Sequence, residues 1–158
     1  MSGAATAIRV KVRALRMADL DDVIRIDELH TGERKAKYWR RVFGLFLRSS
    51  GEARRIGLAA EGAKGIDGYL LGETRAFEFG SEPCGWVFAI GVDPSLLRAG
   101  IATSLLDEAR KRFRKAGIAK VRTMVRREDI PVLSFFRASG FAGGSFVQLE
   151  QDLEMEES

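Results

Sequence analysis

From Ile8 to Leu15 apolar positions (Ile8, Val10, Val12, Ala14) alternate with basic ones (Arg9, Lys11, Arg13), the period of a half-buried strand. The pattern then changes to helical spacing. Asp19 stands at an N-cap position, and Leu20, Val23, Ile24 and Leu29 predict a first helix to about His30, broken by Thr31-Gly32. Between Glu33 and Arg48, Ala36, Trp39, Val42, Phe43, Phe46 and Leu47 recur on one face, with Lys35, Lys37, Arg40 and Arg41 opposite. Ser49-Ser50-Gly51 ends this second helix. Arg55 to Ala60 reads as a short strand, Lys64 to Gly68 as a turn, and Tyr69 to Phe79 as a longer strand. A second turn over Gly80 to Gly85 leads into Trp86 to Val92, WVFAIGV, apolar on both faces and therefore a central strand. These three strands predict an antiparallel meander.

Past Asp93-Pro94 a short loop reaches Gly100. A helix from about Ala99 carries Ile101, Leu105, Leu106, Ala109 and Phe113 on one face and stops at Gly117. Ile118 to Val125 alternates as a strand, which makes a strand–helix–strand crossover and a parallel pair. Asp129 caps a last helix, with Pro131 in its first turn and Leu133 and Phe136 inward; it ends at Ser139-Gly140-Phe141. Ser145 to Leu153 is expected as a final strand. The fold class is α/β: antiparallel N-terminal strands and a parallel pair at the centre of a mixed sheet flanked by helices, one domain over 1–158 with its ordered core at about 8–153.

Composition narrows the chemistry. One Cys and one His in 158 residues leave no internal disulfide and argue against a zinc site, so no metal is expected. No apolar stretch approaches the roughly 20 residues of a membrane span, and the N-terminal residues do not pattern as a signal peptide. A cytoplasmic protein is the expectation. The net charge of +4 is uneven. Arg110, Lys111, Arg112, Arg114, Lys115, Lys120, Arg122, Arg126 and Arg127 form a block without acids, while Glu150 to Glu157 is acidic. The block suits a phosphorylated ligand or a solvated helix face equally. A nucleic-acid module is disfavoured, because the block lacks interleaved exposed aromatics.

Taken alone, Gly100-Ile101-Ala102 says little. Set after an apolar strand and Asp93-Pro94, at the start of a helix, and followed by Phe136 to Phe141 (FRASGF), it resembles the GNAT superfamily of N-acetyltransferases. That family has a V-x-P-like turn, then Q/R-x-x-G-x-G/A at a helix start, and a downstream helix ending in Y-x-x-x-G-F. Gly100 and Ala102 match the small positions, Gly140-Phe141 the closing pair, and Asp129 a position where members often carry Asn. The order of elements matches from about Ile8 to Leu153. Two positions depart: Leu97 replaces Q/R, with Arg98 one residue late, and Phe136 replaces the Tyr that commonly protonates the departing thiolate.

The resemblance implies acetyl-CoA as co-substrate. N–H groups of Arg98, Ala99, Gly100, Ile101, Ala102 and Thr103 would hold its diphosphate at the helix N-terminus. The pantetheine arm would enter beside Ile90, Gly91 and Val92, with a backbone amide, first of all that of Val92, meeting the acetyl oxygen. Asp129 and Phe136 complete the expected coenzyme set. Gly91 reads as a bulge or a tight packing spot. A general base for the amine has no clean candidate; Glu73 is the first choice, and the lone His30 reads as a helix-end or surface residue. Without Tyr at Phe136, a proton reaches the thiolate from another donor such as Ser134 or Tyr69, or from water. Glu28, Tyr38, Trp39 and Phe77 are the expected acceptor walls, with Trp39 also at core spacing. The expected function is acetyl transfer to a primary amine of a small molecule or peptide. A non-catalytic acyl-CoA-binding or sensing domain is the alternative; the oligomeric state is open, and a homodimer is one form the chain can take.

Overall fold

The computed structural model describes residues 10–48, 54–76, 78–97 and 99–156. Arg98, Phe77, Ser49-Ser50-Gly51 and the start of the first expected strand lie outside the described residues. The chain forms two compact units, one ending at Met124 and a smaller one from Val125.

The larger unit contains β1 (Val12–Ala14), α1 (Leu20–Thr31), α2 (Ala36–Phe46), β2 (Arg55–Glu61), β3 (Ile66–Arg75), β4 (Cys84–Val92), α3 (Ile101–Lys115) and β5 (Val121–Thr123). Among the described residues the sheet runs in sequence order, β1 to β5. The first four strands pair antiparallel, and β4 pairs β5 parallel through Gly85, Trp86 and Val87. Alternation sorts the side chains. On one face Leu71 and Tyr69 join Val23, Ile24, Ile26, Trp39 and Phe43 of α1 and α2 in a buried cluster. On the other, a Cβ at Gly68 would meet Ile101 and Leu105, and one at Gly72 or Gly85 would meet Phe113, so α3 covers this face closely. Removing any of the larger buried side chains from such a core costs roughly 2–5 kcal/mol.

Helix ends follow the expected chemistry in part. Gly32 closes α1 at φ 76°, and Gly117, at φ 79°, follows the end of α3. Asp19 sits at the α1 N-cap, yet its carboxylate does not cap the helix. It takes a bidentate pair from Arg13, 2.8 Å to each oxygen, and a third bond from the Arg16 amide.

The smaller unit holds α4 (Ile130–Ala138), with Pro131 in its first turn and Asp129 accepting from the Val132 amide at 3.3 Å. Phe136 is buried, its ring edge-on to Phe135 and Phe141. Ser145 to Leu153 forms no strand, contrary to expectation; its residues are exposed and make no ladder. Its apolar residues had suggested pairing, but a strand needs a partner edge as well as a pattern.

Candidate active site

The central feature is the C-terminal half of β4. Asp93 N donates to Asp67 O at 2.8 Å. In an antiparallel ladder such bonds recur at every second residue, so Gly91 and Ala89 also face β3, paired with Tyr69 and Leu71. Ile90 and Val92 therefore turn both N–H and C=O away from β3. On that side β5 pairs only as far as Val87. The register shift that permits this lies between Leu71 and Gly72 of β3, which places the extra residue of β4 at Phe88. Of the two readings of Gly91, the bulge moves to Phe88 and the tight packing stays: a Cβ there would sit 2.7 Å from the Tyr69 ring and hydroxyl.

Asp93 shapes the next loop. One carboxylate oxygen accepts from Ser95 N at 3.0 Å and Ser95 Oγ at 2.8 Å, and the other from Arg25 Nη1 at 3.0 Å. The Ser95 hydrogen bonds, then Arg25, hold the Asp93 carboxyl below its ordinary pKa. Pro94–Leu96 forms a 3-10 turn, and Gly100 enters α3 at φ 80°, a left-handed conformation that glycine adopts without the Cβ penalty. Of the expected cradle amides, that of Ala99 is already taken by Leu96 O at 3.2 Å. Those of Gly100, Ile101, Ala102 and Thr103 are the first-turn donors that a helix leaves without internal acceptors. The side chain of Ile101 is buried, while Gly100 and Thr103 are exposed.

The acid candidates are held by cations. Glu73 Oε1 accepts from Arg75 Nε at 2.9 Å, and Arg75 stacks 5.1 Å from the Trp86 ring. Glu28 pairs with Arg34 at 3.5 Å. Tyr38 is exposed and edge-on to Trp39. Trp39 is 3% exposed, donates from Nε1 to Asp27 at 3.0 Å and stacks on Tyr69, so it belongs to the core and lines no open wall. Burial pushes the buried Tyr69 phenol well above its ordinary pKa.

One contact was not legible in the sequence. His30 Nε2 lies 2.6 Å from Val92 O. It joins the end of α1 to the outward edge of β4. The only sequence signal was position, a lone imidazole one residue before a helix stop. The Phe88 bulge had no signal at all, since every residue from Val87 to Ile90 is apolar or small.

Residues 20–141 match the Acetyltransferase (GNAT) family. The mycothiol acetyltransferase of Saccharomonospora viridis is 25% identical over 109 residues, 69% of this chain and 33% of that protein. The chain thus spans about a third of the length of the curated relative it matches. Among solved structures, aminoglycoside N-acetyltransferase AAC(6')-Iy in complex with CoA superposes with a TM-score of 0.78 at 15% identity, over 91% of this chain and 95% of that one. AAC(6')-Ig from Acinetobacter haemolyticus gives 0.74 at 17% identity, over 91% and 99%. At these identities the likeness is one of fold.

Proposed function

The chain belongs to the GNAT family of acetyltransferases, and from that premise we propose that it moves an acetyl group from acetyl-CoA to a primary amine by direct attack. The observation that carries this reading is the pair of outward-facing β4 residues, Ile90 and Val92, on an edge that β5 leaves open beyond Val87. A pantetheine arm is an extended chain of amides and suits such an edge. Donors fixed in place by a strand stabilise the oxyanion of a tetrahedral intermediate, and losing one costs roughly 3 kcal/mol.

The diphosphate fits the first turn of α3. Gly100 to Thr103 offer four N–H groups there, and, its chain neighbours aside, no atom of the described residues lies within 4 Å of where a Gly100 Cβ would sit. The helix macrodipole adds about 0.3–1 kcal/mol per charge. Arg98, Asp129 and Phe136 join the coenzyme set by the resemblance. Glu28 and Tyr38 remain as acceptor walls, near the end of α1 and the start of α2. The acceptor class is drawn from the aminoglycosides named for the structural neighbours, polyamines, amino acids and peptide N-termini.

The test is thiol release from acetyl-CoA with a panel of those amines, read beside thermal shift with acetyl-CoA alone. Binding with turnover of at least one amine is expected. Binding without turnover across the panel supports the acyl-CoA-binding domain instead, and no shift with acetyl-CoA overturns both.

A further inference from the structure

We propose that His30 is the general base that takes the proton from the attacking amine. The inference rests on the acetyltransferase reading and adds the residue that the sequence did not supply. A carbonyl oxygen carries no proton, so the 2.6 Å contact with Val92 O requires Nε2 to be the donor. The hydrogen bond thereby selects the tautomer. In the neutral ring the proton stays on Nε2 and the lone pair on Nδ1, which is the state a base needs. The His30 side chain is exposed. It hangs from the last turn of α1, the acceptor side, while its other nitrogen grips the β4 residue whose N–H is assigned to the coenzyme. No other side chain among the candidates is both exposed and bonded to that strand edge.

The competing acids are engaged. Glu73 is bonded to Arg75, and Glu28 pairs with Arg34. The other charged groups on α1 and at the end of β4 are Asp21, Asp22 and Arg25, which pair in part with each other, Asp27, held by Trp39 Nε1 and Lys35, and Asp93, held by Arg25. Asp27 and Glu28, the carboxylates of the last turns of α1, are thus each matched by a cation.

The step balances. Nδ1 accepts one proton from the ammonium of the acceptor. The freed nitrogen lone pair attacks the thioester carbon, the C–N bond forms and the C–S bond breaks. The second amine proton leaves with the thiol, and the imidazolium returns its proton to solvent. Base assistance of this kind contributes typically 10²–10⁴-fold.

Because His30 is the only histidine in the chain, its ring nitrogens are readable one by one in 15N NMR. The neutral ring is expected as the Nε2–H tautomer in the folded protein; the Nδ1–H tautomer overturns the proposal. In kinetics with the fastest amine of the panel, His30→Gln keeps a side-chain N–H for Val92 O but has no base. Its kcat is expected to fall by about 10²-fold or more, with acetyl-CoA affinity held within about threefold. His30→Ala is expected to regain rate in proportion to added imidazole, which a merely structural role would not give. A His30→Gln enzyme near wild-type rate, or no imidazole rescue, overturns the assignment. Loss of acetyl-CoA binding by the wild type would sink the acetyltransferase reading instead, and the tautomer measurement would still stand by itself.

Discussion

Gly91 is fixed by its neighbour. A methyl group there would overlap the Tyr69 ring at 2.7 Å, and Tyr69 is itself wedged against Trp39. Gly91→Ala is expected to cost roughly 1–3 kcal/mol by overpacking and to weaken acetyl-CoA binding, measured by urea unfolding and by thermal shift with the coenzyme. Trimming the ring with Tyr69→Leu in the same chain should recover part of the binding; if Gly91→Ala alone is neutral, the close contact does not hold β4 in place. At this scale the sequence was legible where a residue has one plausible use. Gly100, Gly117 and Asp129 stand where the chain needs a left-handed turn or a cap. It misled where a residue has two. Asp19 looked like a cap and is a partner for Arg13, because a guanidinium reaching across from β1 outcompetes a single backbone N–H. Trp39 was ambiguous in the same way: spacing put it in reach of both core and cleft, and only packing decided for the core.

Gly100, the N-cap of α3, has φ 80°, and its absent Cβ would meet no described residue beyond its chain neighbours, so a substitution there acts chiefly through the backbone. Gly100→Ala is expected to cost about 1–2 kcal/mol of left-handed strain. Relief of that strain would re-aim the first-turn amides, so KM for acetyl-CoA should rise several-fold while kcat changes little. An unchanged KM would remove those amides from the diphosphate site. Helix positions were readable because their apolar stripes run over several turns. Strand ends were less so. Tyr69 to Phe79 was expected to be one strand and ends at Arg75, after beginning earlier at Ile66. Strand limits depend on where a neighbour stops pairing, and no single segment contains that information. The missing strand at Ser145 to Leu153 is the same lesson at full length.

Across the molecule, charge pairing ties β1, the approach to α1 and the end of β2 together. Arg13 binds Asp19 twice and Glu61 once, at 2.8 to 2.9 Å, and Lys11 adds a contact to Glu61. Burial alone would raise the Asp19 carboxyl, but the Arg13 hydrogen bonds, the Arg16 amide and the Arg13 charge outweigh it and leave its pKa lowered. The folded state thus holds this proton more weakly than the unfolded chain, whose Asp titrates near 3.9. The stabilisation is present above that value and is lost as pH falls through the folded carboxyl's range. Asp19→Ala leaves the part-buried Arg13 with Glu61 and the Ala14 carbonyl as its partners and should cost about 3 kcal/mol at neutral pH, with a flatter loss of stability in acid. Urea midpoints between neutral and acidic pH measure both, and an equal acid response in variant and wild type would refute the account. The basic block after Arg110 was read two ways; Arg110 and Arg112 pair with Asp107 and Glu108 of the same helix, as a solvated helix face does.

The supernumerary residue at Phe88 has a further consequence for counting. Before it, Trp86 turns its main chain toward β3; without the extra residue, every second position after it, Ile90 and Val92 included, would do the same. One residue therefore turns the main chain of Ile90 and Val92 to the side that β5 leaves unpaired beyond Val87. Excising Phe88 should keep the side chains of the two halves on their present faces, yet straighten the ribbon and let its parallel neighbour zip onward. Such a shortened protein is expected to melt no lower than the parent while losing its hold on acetyl-CoA, a trade of function for closure that calorimetry with and without coenzyme would reveal.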